Sequence, residues 1–187
     1  HNAHKVGELR RILGPQLDGI ELIGYDGPEP VEDGDTFEAN ALIKARAASE
    51  FTGLAVLADD SGICVDALGG APGIYSARYA EGTDETRWQK LLRELRDVPE
   101  DRRAAAFACV LALVSPEGGE ITTEGSCPGW IALAPKGEAG FGYDPVFLIA
   151  GDPNGRTMAE LSDGEKNAIS HRGRAFAALR PHLARLR

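Results

Sequence analysis

Cysteine is scarce in this sequence: Cys64, Cys109 and Cys127 are the whole complement. An odd number with no Cys-x-x-Cys pair suggests neither a disulfide framework nor a zinc site. Cys64 and Cys109 lie in apolar runs and read as small buried hydrophobes, so a reducing, cytoplasmic location is expected. No apolar stretch approaches the roughly 20 residues that span a bilayer, so no membrane helix is expected. The opening His1-Asn2-Ala3-His4-Lys5 lacks the apolar core of a signal peptide, and none is expected. Basic charge is also short, with a formal net charge of −9. Proteins that grip a nucleic acid polymer usually carry a basic face, so DNA, RNA and membranes are not expected as partners. Small anionic substrates stay open, because a few Lys and Arg can converge locally beside a metal ion. What the chain does have is an ordinary hydrophobic share of 43%. Its length suits one domain with a sizeable core, or two small lobes sharing one.

The hydrophobic spacing sets out an alternation of helices and strands. Val6, Leu9, Ile12 and Leu13 predict a helix over 5–13. Residues 20–25 read as a short strand, followed by a Pro- and acid-rich loop over 27–34. A second helix is predicted over 37–50, with Thr36 or Asp35 as N-cap and Asp35 with Glu38 as a capping box. The apolar run 54–58 reads as a buried strand emptying into a polar turn, Asp59-Asp60-Ser61-Gly62, with a weaker strand over 63–68 and a turn cluster over 69–73. Trp88, Leu91, Leu92 and Leu95 share one face of a helix over 84–96. Residues 104–114 read as a buried strand that turns at 116–119 into a second strand over 120–124. Further strands are expected over 130–133 and 146–150, with a loop over 137–142. Thr157 with Glu160 and Ser162 with Glu165 are both capping-box patterns. The last helix begins near Arg172 and turns Phe176, Leu179, Leu183 and Leu186 inward, with Pro181 expected to kink or interrupt it. Helices mixed with hairpins imply an α/β fold with a mixed sheet.

Several polar groupings stand out. Two carboxylates at a strand end, Asp59 and Asp60, suit a hard cation such as magnesium, although such a turn alone is ordinarily just solvated. Asn2 and Lys5 lead into the first helix, whose free N–H groups favour phosphate. Asn40 and Lys44 lie four apart, so they share a helix face otherwise rich in Ala and Leu. Gly140-Phe141-Gly142-Tyr143-Asp144-Pro145 can present a ring to a base while the backbone comes close; it is equally a tight turn. Lys166, His171 and Arg172 gather donors beside a helix start, and His171 alone reads as a core histidine.

Together these strings resemble the inosine triphosphate pyrophosphatase family. The matching segments are Asn2-Ala3-His4-Lys5, Glu32-Asp33-Gly34 with Thr36-Phe37, Asn40 to Lys44, Ala58-Asp59-Asp60-Ser61-Gly62, residues 68–73, Tyr75-Ser76-Ala77-Arg78, residues 141–144 and residues 165–172. They cover essentially the whole chain. The resemblance implies hydrolysis of ITP, dITP and XTP to the monophosphate and pyrophosphate, and an elongated α/β fold of two lobes with a mixed central sheet and a substrate cleft. It implies one ITPase-like domain over 1–187, lacking the family's first strand, and a cytoplasmic homodimer. It also implies magnesium, with manganese as a substitute, held by Glu32 and Asp60, and Asp60 as general base. His1, Asn2, Ala3, His4, Lys5 and Lys44 would bind substrate on the phosphate side, Ser61 would touch it too, and Phe141, Gly142, Tyr143, Asp144, Lys166, His171 and Arg172 would cradle the base. Donors around His171 and Arg172 would select a purine 6-oxo group. A related pyrophosphatase for other modified nucleotides, or a binding module with impaired catalysis, are the alternatives. One departure is Ala39, where the family carries Glu. With Thr36 as N-cap that Glu would close a capping box, so its loss is expected to cost about 0.5–1 kcal/mol unless Asp35 and Glu38 substitute.

Overall fold

The computed structural model of the chain describes residues 3–14, 17 and 19–186, and of Ala3, His4 and Leu186 the backbone only. Helices α1 (Ala3–Leu13), α2 (Phe37–Thr52), α3 (Asp84–Glu94), α4 (Asp163–Ile169) and α5 (His171–Leu183) accompany a sheet of β1 (Val56–Val65), β2 (Ala104–Val114), β3 (Glu120–Ile131) and β4 (Phe147–Ile149). The sheet order is β1-β2-β3-β4. β2 and β3 form the expected hairpin, closed by Ser115 N donating to Gly119 O. β3 and β4 run antiparallel, with Trp130 opposite Leu148. The expected α/β class holds. Among the described residues no helix is long and apolar enough to cross a membrane.

The chain divides into two compact units, 1–60 with 109–125 and 172–187, and 61–108 with 126–171. In the first unit, β2 explains its own unbroken apolar run. Cys109, Leu111 and Leu113 pack with Ile12 and Leu13 of α1 and Phe176, Leu179 and Leu183 of α5. The alternate residues Val110, Ala112 and Val114 pack on Ala41 and Ala45 of α2. Both faces are covered, so no polar alternation survives. In the second unit, Ile63 and Val65 of β1 join Leu91 and Leu95 of α3, Phe107, Ile131, Phe147 and Met158 in one core.

Local signals set several boundaries. Thr36 is the N-cap of α2, accepting from Ala39 N at 3.0 Å, so position 39 is the N3 site and Asp35 with Glu38 does not form the box. Both capping boxes at Thr157/Glu160 and Ser162/Glu165 are present. Four expectations need correcting. Residues 20–25 form no strand: they carry no regular structure and take no place in the sheet, and Leu22 O accepts from the Arg10 side chain. Residues 120–131 are one strand, not two. Pro181 lies inside α5, which passes into a 3-10 turn only at Ala184–Leu186; its ring removes the one donor that would reach back to the carbonyl of residue 177, and the helix runs only two residues further. The fourth concerns the acids. Asp59-Asp60-Ser61-Gly62 is not a turn but the middle of β1.

Candidate active site

Successive side chains on a strand point to opposite faces, and β1 obeys this through its acids. Val56 and Ala58 pack with the α2 cluster, while Leu57 packs with α1 and α5. Asp60 continues the first face and Asp59 the second. The two carboxylates are neighbours in sequence but meet different partners.

On the α1/α5 face, both oxygens of Asp59 accept from Lys5 Nζ, at 3.0 and 3.2 Å. Arg172 Nη2 approaches Asp59 at 3.4 Å, while its Nη1 donates to Glu8 Oε2 at 3.0 Å. Two acids and two bases thus alternate across α1, β1 and α5. Burial pushes the Asp59 carboxyl upward, but Lys5, Arg172 and Lys44 outweigh it and hold it well below the usual carboxylate range. Burial disfavours the Arg172 cation, and Asp59 with Glu8 more than restores it. Glu8 was missed from the sequence. Its spacing of three from Lys5 puts both on one helix face, which was the available signal.

On the α2 face, Lys44 Nζ lies 3.2 Å from Asp60 Oδ1 and 3.5 Å from Glu32 Oε1. Burial raises the Asp60 carboxyl above its ordinary value; Lys44 opposes this, and Glu32 and Asp59 add to it. Asp60 Oδ2 is buried without a hydrogen-bond partner. Two carboxylates converging on one ammonium, with a spare oxygen beside it, have the charge and chemistry to hold a divalent cation. Among the described residues no group of three or more His, Cys, Asp or Glu could hold one. Two carboxylates are the number that magnesium commonly takes from a protein, its shell being completed by water and substrate phosphates.

The second unit holds a braced loop. Asp144 Oδ2 accepts from Lys166 Nζ at 2.6 Å and from Phe141 N at 3.1 Å. Lys166 Nζ also sits 4.5 Å from the centre of the Phe141 ring. A Cβ on Gly140 would fall 2.1 Å from Asp144 Oδ2, and its φ of +77° suits only glycine. Gly142 N donates to Asp84 Oδ2 and Tyr143 OH to Ser76 O, each at 2.7 Å. Burial pushes the Tyr143 phenol upward. Tyr143 and Asp144 are thus buried braces, while Phe141 and Gly142 remain half-exposed. The His171 ring stacks on Phe107 with centres 4.8 Å apart, and Ser61 is half-buried on β1. Asp84 and Phe107 carried no motif that would have marked them, and Ser76 lay in a matching segment with no role attached.

The structure therefore gathers Lys5, Glu32, Lys44, Asp60 and Arg172 in the first unit and Ser61, residues 141–144, Lys166 and His171 in the second. His1 and Asn2, expected to bind substrate, lie outside the described residues, as do the side chains of Ala3 and His4.

Known proteins share this arrangement of chain. The model of the Ham1 family matches residues 1–182. A dITP/XTP pyrophosphatase of Leifsonia xyli is 56% identical over 190 residues, covering 100% of this chain and 94% of its own. A solved HAM1 protein from Coxiella burnetii superimposes with a TM-score of 0.84 at 40% identity, covering 99% of this chain and 95% of that one. A solved dITP/XTP pyrophosphatase from Mycobacterium abscessus gives 0.77 at 49% identity, covering 96% and 95%. With agreement in sequence and in fold along nearly its full length, the chain belongs to the Ham1 family.

Proposed function

We propose that the protein hydrolyses nonstandard purine nucleoside triphosphates, dITP, XTP and ITP, to the monophosphate and pyrophosphate. The relatives named dITP/XTP pyrophosphatases support the substrate class. The observation that carries the chemistry is Asp60: buried, raised above the ordinary carboxylate value, with one oxygen on Lys44 and the other without a partner.

Water attacks the α-phosphorus and pyrophosphate leaves. Asp60 orients that water and takes its proton. Lys5 and Lys44 supply positive charge to the phosphates. Lys44, now balancing Glu32 and Asp60, turns to the phosphates as they bring their own negative charge. Magnesium, held by Glu32 and Asp60, would neutralise charge growing on the leaving pyrophosphate. The loop braced by Asp144 and Lys166 receives the base, with Phe141 as its stacking surface. His171 and the loop N–H groups pair with a 6-oxo group, and each bond lost to a 6-amino purine costs about 1–3 kcal/mol. In this reading the protein is a cytoplasmic homodimer; its free cysteines suit a reducing compartment.

Product analysis with ITP tests the proposal. IMP and pyrophosphate are expected together, with loss of both on chelation and recovery on adding magnesium. Asp60→Asn is expected to lower kcat by roughly 10²–10⁴-fold while nucleotide still binds. Near-normal turnover by that variant, or inorganic phosphate as the first product, overturns it.

A further inference from the structure

Glu32 is carried by a loop that has no regular structure of its own, so something else must hold its carboxylate opposite Asp60. Asn40 is placed to do this. It lies in the first turn of α2, four residues before Lys44, and is fully buried. Its Oδ1 accepts from Gly34 N at 2.9 Å, which pins the backbone two residues beyond Glu32. The fit leaves no slack: a Cβ on Gly34 would lie 2.7 Å from Asn40 Oδ1 and 2.8 Å from Ala39 Cβ. Contacts this short are not tolerated, so the loop can take this seat only with glycine there.

A second observation separates function from packing. Asn40 Nδ2 is buried without a hydrogen-bond partner. An unpaired buried donor destabilises a protein, so the half of the amide that counts here is its acceptor: an apolar side chain in the same space would leave Gly34 N–H without a partner.

We propose that Asn40, acting through Gly34, is a positioning residue that sets Glu32 opposite Asp60 and thereby fixes the affinity for the divalent cation. This rests on the reading of Glu32 and Asp60 as the cation's ligands. Asn40 need not touch substrate or cation; it decides where one of the two carboxylates stands. Supporting partners of metal ligands typically tune affinity strongly when removed.

The test compares Asn40→Ala, Gly34→Ala and Glu32→Gln, alone and as the Asn40→Ala/Glu32→Gln pair. Two measurements are made: the magnesium concentration for half-maximal ITP hydrolysis, and the dissociation constant for Mn2+ alone from the resonance signal of the free ion. Asn40→Ala and Gly34→Ala, which disturb the seat from opposite sides, are each expected to weaken both by roughly 10–100-fold, with kcat at saturating magnesium nearly unchanged. In the Glu32→Gln background, Asn40→Ala is expected to add little, because the group it positions is gone. Wild-type cation dependence in both seat variants, even with lowered melting temperatures, overturns the proposal, as do multiplicative effects in the pair. Gly34→Ala keeps the test open if Asn40→Ala does not fold. If Glu32→Gln itself leaves cation binding unchanged, the underlying ligand assignment fails instead.

Discussion

Asp59→Asn keeps the shape of the side chain and removes its charge, and the structure says what that strands. Lys5 loses a two-oxygen partner at 3.0 and 3.2 Å, and Arg172 loses one of its two acids while keeping Glu8 at 3.0 Å. Breaking a fully buried pair destabilises by about 3–5 kcal/mol. Two features moderate this. The Asp59 and Lys5 side chains are 21% and 31% exposed. A cavity of about 110 Å³, lined by Lys5, Asp59 and Arg172 and by Leu9, Leu57 and Phe176, gives water access to both cations. The expected loss is therefore about 2–3 kcal/mol, or roughly 4–12 °C in melting temperature for a chain of this size. The sign with pH follows from the depressed carboxyl. A group whose folded pKa lies below its unfolded value near 3.9 stabilises fully above that value and loses its contribution as pH falls through the folded one. The gap between wild type and variant is thus constant at neutral pH and closes in acid below about pH 4. Thermal melts from pH 3 to 8 measure it. A gap under about 1 °C at pH 7, where roughly 4–12 °C is expected, or one that persists undiminished in acid, refutes the reasoning.

Other perturbations reach other parts of the fold. Ala39→Glu puts a carboxylate at N3 of α2, where Thr36 already caps; completing the box is expected to raise stability by about 0.5–1 kcal/mol, read as a higher urea midpoint. Lys166→Met takes the ammonium away from a buried Asp144 carboxylate, since the pair is 9% and 5% exposed; a loss of about 3–5 kcal/mol in urea unfolding is expected, with a raised KM for ITP. Burial pushes the Cys109 thiol up to about 12 and also raises half-buried Cys64, so Ellman's reagent is expected to titrate the thiols fully only after denaturation. Rapid modification of Cys109 in the native protein would contradict its burial.

What was legible in the sequence was what depends on near neighbours or on bulk burial. The boxes at Thr157 and Ser162 span three residues each, so their chemistry is complete within the motif. The run 104–114 announces burial on both faces because both faces of β2 are in fact covered. The acids of β1 were misread for the opposite reason. Charged residues after an apolar run signal a turn when nothing else is known, because a lone buried carboxylate is too costly. Here the partners that make burial affordable come from far along the chain: Lys44 is 16 residues away from Asp60, and Lys5 and Arg172 are 54 and 113 from Asp59. Residues 20–25 show the converse limit. Their apolar residues suit a short strand, but they cannot say whether a neighbouring strand exists to pair with. The motif resemblance marked the site residues without saying which of them brace and which are open; Tyr143 and Asp144 turn out to be buried, and Glu8 and Asp84 complete networks that no motif announced.

The doublet on β1 also gives the strand a preferred direction of error. A strand's side chains have a period of two, so a slip of one residue exchanges its faces. If β1 slips so that Asp59 takes the place of Asp60, the position facing Lys44 and Glu32 still receives a carboxylate, and only the clamp on Lys5 and Arg172 falls to Ala58. Slipped the other way, the clamp keeps an acid in Asp60 while Ser61 arrives opposite Lys44. One shift keeps a carboxylate opposite Lys44 and loses the clamp, and the other keeps the clamp and loses the carboxylate opposite Lys44. Repeating the acid makes those two failures different in kind.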